Sequence, residues 1–178
     1  MKLTLRSAAA ADIDEIMKME LKGFDPGNSE AAEVYLERIA MFPDGSLIAL
    51  VNGIVCGCSF SEIWKRKEKF QKSDFSLGHS TRAAHDAVNG RTIYVASMTV
   101  LPEFRNFGLG HQLFEMSIAH IQALFPKINS AVLLVNETWT HARTIYARAG
   151  FLEVEVLEGF FHPFPKVVQN GIVMFKKI

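Results

Sequence analysis

The sequence predicts a mixed α/β fold, a sheet with helices on both of its faces. Three observations carry that reading. Strand-like and helix-like segments follow one another in the order β-α-α-β-β-β-α-β-α-β-β. An Asn52-Gly53 pair separates two β-prone runs and marks a hairpin. Residues 131–135 are wholly apolar, as a strand covered on both sides must be.

Residues 2–6 alternate as a short strand. Asp12-Ile13-Asp14-Glu15 resembles a capping box, and Ile13, Ile16, Met17, Leu21 and Phe24 follow at helical spacing. The run Phe24-Asp25-Pro26-Gly27-Asn28 breaks that helix. Ser29 is placed to cap a second one, with Ala32, Leu36, Ile39 and Ala40 on its stripe, and Pro43 stops it. Residues 47–51 and 54–60 form the hairpin, because a type I′ turn requires positive φ at both Asn52 and Gly53. Residues 92–100 form a strong strand that ends at Leu101-Pro102. A helix follows Gly108-Leu109-Gly110 and runs to Phe125, where Pro126 ends it. After the strand at 131–135, a helix spans 138–149 with Gly150 as its stop. Residues 151–157 and 172–176 close the chain as strands.

Composition narrows the function. At 178 residues the chain reads as one domain, 1–178. Nineteen basic residues balance 19 acidic ones, which disfavours nucleic acid and anionic membrane surfaces as partners. No apolar run approaches the ~20 residues of a membrane span, and Arg6 interrupts any secretory signal. Cys56 and Cys58 are two apart on a strand, a poor geometry for a disulfide, so they read as small buried thiols in a cytoplasmic protein. The stretch 64–90 stands apart. Lys65, Arg66, Lys67, Lys69 and Lys72 crowd its start, so it is either a solvated surface run or a lid over a cleft.

The chemistry concentrates where strand 92–100 passes into the next helix, at Arg105-Asn106-Phe107-Gly108-Leu109-Gly110. A helix N-terminus offers free N–H groups and the positive end of the dipole, and Arg105 adds a forked cation suited to phosphate. A P-loop is excluded, since His111-Gln112 follow Gly110 instead of Lys-Ser/Thr. A dinucleotide fingerprint is excluded because Leu113 stands at the third glycine position. A Gly-x-Gly taken alone would only turn the chain.

With Arg105 and the proline-ended strand, the segment resembles motif A of the GNAT acetyltransferase superfamily, Arg/Gln-x-x-Gly-x-Gly/Ala, filled by Arg105, Gly108 and Gly110. Ala142-x-x-x-Tyr146-x-x-x-Gly150-Phe151 is similar to that superfamily's later helix, although Trp139 stands where many members carry Asn. Phe42-Pro43-x-x-Ser46-Leu47, Trp64 and Phe104-Arg105 add a likeness to the arylalkylamine N-acetyltransferase branch. That branch places two histidines where this chain has Tyr94 and Ala96.

The resemblance implies a mostly antiparallel GNAT-like sheet, splayed between the strand before motif A and the next strand. It implies acetyl-CoA as co-substrate, no metal, and a primary amine of a small molecule, arylalkylamine- or polyamine-like, as acceptor. The alternatives within it are a protein N-terminal or lysine acetyltransferase and a non-catalytic CoA-binding sensor. The protein would be a monomer or homodimer. On this reading the pyrophosphate sits on residues 105–110, including Phe107, and the pantetheine arm pairs with Met98, Thr99 and Val100. Asn136 either lies beside CoA or caps a helix. Tyr146 donates to the leaving thiolate, because its phenol is neutral at the pH where a thiol ionises. Glu62 is the first candidate base, or else a surface carboxylate, and His79, His85 and His162 are reserves. Tyr94 is expected on one side of its strand with Ala96, Met98 and Val100. Phe24, Pro26 and Trp64 either wall an acceptor pocket or pack the core.

Overall fold

A computed structural model describes residues 2–178. One seven-stranded sheet runs in the order β1-β2-β3-β4-β5-β7-β6, built from β1 (Leu3–Ser7), β2 (Ser46–Val51), β3 (Ile54–Trp64), β4 (Thr92–Val100), β5 (Ser130–Asn136), β6 (Leu152–Phe161) and β7 (Gln169–Lys177). Every neighbouring pair is antiparallel except β4 and β5. The hairpin turn has Asn52 at φ 53° and Gly53 at φ 80°, as a type I′ turn requires.

Helices cover both faces. On one side α1 (Ile13–Gly23) and α2 (Ala32–Met41) bury Ile16, Met19, Tyr35 and Ile39 against Ile48, Cys58 and Phe60 of β2 and β3. On the other, α4 (Leu109–Leu124) and α5 (Thr140–Arg148) bury Phe114, Ile118, Ile121 and Tyr146 against Val95, Leu133 and Ile172. A one-turn helix, α3 (Thr81–Ala84), lies within the long connection between β3 and β4. Both cysteines are free and buried. Among the described residues no helix is long and apolar enough to cross a membrane.

Three local expectations are revised. Asp12 does not cap α1: its carboxylate accepts from the Ala9 N–H and pairs with Arg6, closing a 3₁₀ turn that precedes the helix. Ser29 bonds back to the Pro26 carbonyl, and α2 starts three residues later. The strand at 54–60 continues to Trp64, because β4 offers it a partner along its whole length.

The register of β3 and β4 positions the site. Phe60 lies opposite Ser97, but Ser61 lies opposite Val95, so Ala96 is an extra residue on β4. A bulge shifts the two-residue alternation by one step. Tyr94, Ser97 and Thr99 therefore share the α1/α2 face with their partners Glu62, Phe60 and Cys58, whereas Met98 packs with the α4 clusters. The expected shared side for Tyr94, Ala96, Met98 and Val100 is corrected by this one inserted residue.

Candidate active site

The strands β4 and β5 pair only from Thr92 to Val95, against Ser130 to Leu133. Beyond that they diverge, and the divergence begins at the bulged residue Ala96, where the strand bends. The result is a cleft of about 710 Å³ that passes between the strands and is lined from α1 to α5.

Beyond Val95 the edge of β4 has no strand partner on the β5 side. The Leu101 N–H donates to the Cys56 carbonyl at 2.9 Å, and antiparallel pairing alternates its direction residue by residue. Thr99 thus bonds toward β3, while Met98 and Val100 turn their N–H and C=O to the cleft. The Val100 carbonyl confirms the direction, since it accepts from Arg105 Nε at 2.9 Å.

At one end of the cleft lies the N-terminus of α4. It has no side-chain cap, which leaves the first N–H groups of a 16-residue helix free. Gly108 holds the N-cap at φ 74°, and a Cβ built there would meet nothing within 4 Å. This is an open cradle bounded by main chain, with Arg105, Asn106, Leu109, Gly110 and His111 around it. Such a cradle suits a diphosphate, and an amide-bearing arm suits the free edge of β4. The residues present therefore fit CoA. Among the described residues no group of three or more His, Cys, Asp or Glu is arranged to hold a metal ion.

The other end is aromatic and acidic. Phe24 packs on Trp139 at 5.4 Å between ring centres, and Trp139 on Phe161 at 5.5 Å. Phe75 and Leu77 of the long connection complete the wall, with Glu20, Asn28 and Glu30 beside them. Glu30 is paired with Arg38 and accepts the Gly78 N–H. Burial raises Glu20 above the ordinary carboxylate range, and the opposing bonds from Tyr35 and the Glu30 N–H only partly offset it.

The sequence-derived residues divide accordingly. Phe24, Tyr94, Met98, Thr99, Val100, Arg105, Asn106, Gly108, Leu109, Gly110 and Tyr146 all line the cleft. Four do not. Phe107 is 56% exposed, away from the cleft, so it can contribute only main chain to the phosphate loop. Asn136 is fully buried: its Oδ1 accepts from the Thr138 N–H and hydroxyl, and its amide donates to Gln169, which makes it a cap for the turn into α5. Trp64 stacks behind Tyr94, ring centres 3.9 Å apart, and does not wall the pocket.

Glu62 is the fourth. It lies inside β3 with no exposed surface, and its carboxylate accepts from Trp64 Nε1 at 2.7 Å, Thr81 Oγ1 at 2.9 Å and His79 Nε2 at 2.9 Å. Burial pushes the Glu62 carboxyl up, but these donors and the charges of His79 and Arg38 hold it below the ordinary range. Glu62 is therefore neither a surface carboxylate nor a lining residue, and it anchors the connection 65–91 to the sheet. His85 serves the same end, its Nδ1 accepting from the Ile63 N–H at 3.0 Å.

Tyr146 is buried against Phe114, and desolvation pushes its phenol up to about 12. It is neutral throughout the working pH range and able to donate.

Sequence reading missed Glu20, Asn28 and Glu30. For Glu20 a signal existed. It stands four residues from both Ile16 and Phe24, on the stripe that had to be buried. Arg38 was hidden by a misplaced α2 stripe: the helix buries Tyr35, Arg38 and Ile39, and leaves Leu36 partly exposed.

The profile of the acetyltransferase (GNAT) domain family matches residues 79–167, half of the chain. The chain belongs to that family. A curated relative, an uncharacterised N-acetyltransferase YkwB of Bacillus subtilis (strain 168), is 27% identical over 122 residues, which are 62% of this chain and 51% of that protein. The chain thus spans about half the length of the curated relative it matches. Among solved structures, the loading GNATL domain of CurA from Lyngbya majuscula superposes with a TM-score of 0.81 at 14% identity, covering 99% of this chain and 98% of that one. Arabidopsis thaliana Naa50, solved with the bisubstrate analogue CoA-Ac-MVNAL, gives 0.72 at 15% identity with both chains fully covered. The mixed α/β GNAT fold, with its mostly antiparallel seven-stranded sheet, is thereby shown.

Proposed function

We propose that this GNAT protein is an N-acetyltransferase that moves an acetyl group from acetyl-CoA to the primary amine of a small, partly apolar molecule of arylalkylamine type. The observation that carries the reading is the continuous cleft. It joins an uncapped helix N-terminus to an aromatic, carboxylate-bearing end by way of the free edge of β4.

When bound, acetyl-CoA supplies the activated acetyl group. The chain's own residues do the rest. The N–H groups of residues 108–111 and the Arg105 guanidinium hold the phosphates. The Met98 main chain and the Val100 N–H pair with the amide-bearing arm as an added strand, and the Met98 N–H stabilises negative charge growing on the carbonyl oxygen. Phe24, Trp139 and Phe161 surround an apolar amine substituent. Glu20 and Glu30 favour a cation in the same space, since the one cation paired with either of them among the described residues is Arg38. Tyr146 donates to the sulfur that leaves.

A small acceptor is favoured by the connection 65–91, whose Phe75 and Leu77 form part of the cleft wall. Glu62, His79, Thr81 and His85 tie that connection to the sheet, and we read it as a lid anchored there. The test is thiol release from acetyl-CoA with a panel of arylalkylamines, polyamines and short peptides. Turnover is expected with the arylalkylamines. Turnover confined to peptides would overturn the small-molecule reading. No turnover with any amine, together with an unchanged melting temperature at millimolar acetyl-CoA, would overturn the enzymatic one.

A further inference from the structure

The acceptor amine enters as an ammonium ion at neutral pH and must lose a proton before it can attack. Glu62 is sealed beneath Tyr94 and Trp64, so the proton must leave by another route. Two carboxylates line the cleft. Glu30 is committed to Arg38. Glu20 has no ion-pair partner among the described residues.

The surroundings of Glu20 form a chain. Its Oε2 accepts from the Tyr35 hydroxyl at 2.6 Å, and the Tyr35 oxygen lies 3.3 Å from the Ser97 hydroxyl. Tyr35 has a single proton and an ionised carboxylate can only accept, so that proton is directed to Glu20. Tyr35 also has donor geometry toward Ser97 Oγ, so transfer along the chain requires its proton to stay on the shorter Glu20 contact while the Ser97 hydroxyl turns toward Tyr35, which frees a Ser97 lone pair for an N–H in the cleft. Ser97 lines the cleft on β4 next to Met98, whose main chain faces the open edge. The chain thus runs from the place where an amine would meet the acetyl group to a carboxylate beneath α1 and α2.

We propose that Ser97, Tyr35 and Glu20 form the path by which the acceptor loses its proton, with Glu20 as the terminal base. The proposal rests on the acetyltransferase reading above. The ammonium N–H proton passes to Ser97 Oγ, the Ser97 proton to Tyr35 and the Tyr35 proton to Glu20 Oε2. The nitrogen keeps the bonding pair as its lone pair. An ammonium and a carboxylate become a neutral amine and a neutral carboxylic acid, so burial favours the products. The groups facing Glu20 are Glu30 in the loop before α2, Tyr35 and Arg38 of α2, Cys58 of β3 and Ser97 of β4. Desolvation dominates them and keeps the carboxyl a better proton acceptor than an exposed one.

The experiment compares wild type with Glu20→Gln, Tyr35→Phe and Ser97→Ala, each close to isosteric. It uses acetyl-CoA and the best amine from the panel. Glu20→Gln should lower kcat by about 10²–10⁴-fold, and each of the other two by at least about tenfold. The acetyl-CoA Kd should stay at the wild-type value, which also shows that the variants fold. The kcat/KM profile of the wild type should fall on the acid side at a value above the ordinary carboxylate range. Glu20→Gln should lack that limb, which a merely structural carboxylate would not control. Carbon-13 NMR of the ligand-free protein should show Glu20 titrating at the same raised value.

An active wild type whose Glu20→Gln variant keeps full rate or keeps the acid limb overturns the proposal alone. Wild-type rates in both Tyr35→Phe and Ser97→Ala overturn the relay. A wild type that acetylates no amine overturns the enzymatic reading and the proposal with it.

Discussion

Tyr146→Phe removes one hydroxyl and leaves the ring packed against Phe114. Its effect can be worked from the burial of the phenol. Desolvation places that group at about 12, whereas an ordinary thiol ionises near 8.5. Complete transfer of the proton from Tyr146 to a departing thiolate is therefore uphill by roughly 5 kcal/mol. The hydroxyl then acts by donating a hydrogen bond to the developing charge and does not surrender its proton outright. A hydrogen bond to a charged group contributes about 1.5–3 kcal/mol, which converts to roughly 10–150-fold in rate. We expect kcat to fall within that range. The acetyl-CoA Kd should be nearly unchanged, because the main-chain contacts of residues 98–110 remain. Tyr146 stays neutral far above neutrality, so the loss should be the same from the acid to the mildly alkaline side. Single-turnover kinetics are the assay, since they isolate chemistry from product release. A wild-type single-turnover rate in Tyr146→Phe would refute the role and leave Tyr146 as a packing residue.

Gly108→Val places a β-branched residue at φ 74°, with its Cβ in the empty space at the start of α4. It should cost about 1–2 kcal/mol of stability and abolish the melting-temperature rise with acetyl-CoA; a retained rise would remove the phosphates from this helix end. In the connection 65–91, amides should exchange faster than those of β3 and β4, and should become protected when acetyl-CoA and an amine are both bound. Equal hydrogen exchange with and without ligands would show a fixed surface segment. Burial lowers the His79 imidazole, but the hydrogen bond and charge of Glu62 outweigh it and leave it raised. A folded-state value above the unfolded one means that the pair stabilises fully below about pH 6.5 and loses that contribution as pH rises through the raised value. Melting temperature should therefore decline more steeply above neutrality in the wild type than in His79→Asn; parallel profiles would show that the pair does not anchor the connection.

How much could be read without the fold follows from the range over which each feature is determined. Alternation of apolar residues, the Asn52-Gly53 turn, the glycines of the phosphate loop and the Tyr146-to-Phe151 spacing are local properties of a few consecutive residues. They placed nearly all the elements and most of the cleft-lining positions on β4 and at the start of α4. The acceptor end was not legible in the same way. One extra residue at Ala96 reverses which side Tyr94 faces, and a bulge is visible only once β3 and β4 are paired. Glu62 reads as a strand-end carboxylate in sequence and becomes sealed because Trp64, His79 and Thr81 reach it from positions up to 19 residues away. Glu20, Tyr35 and Ser97 are separated by as many as 62 residues in their closest link, yet form one hydrogen-bonded chain. Local propensity sets the elements and the phosphate loop; which buried polar groups meet is decided by packing two helices on a bulged sheet, where every desolvated donor and acceptor must find a partner.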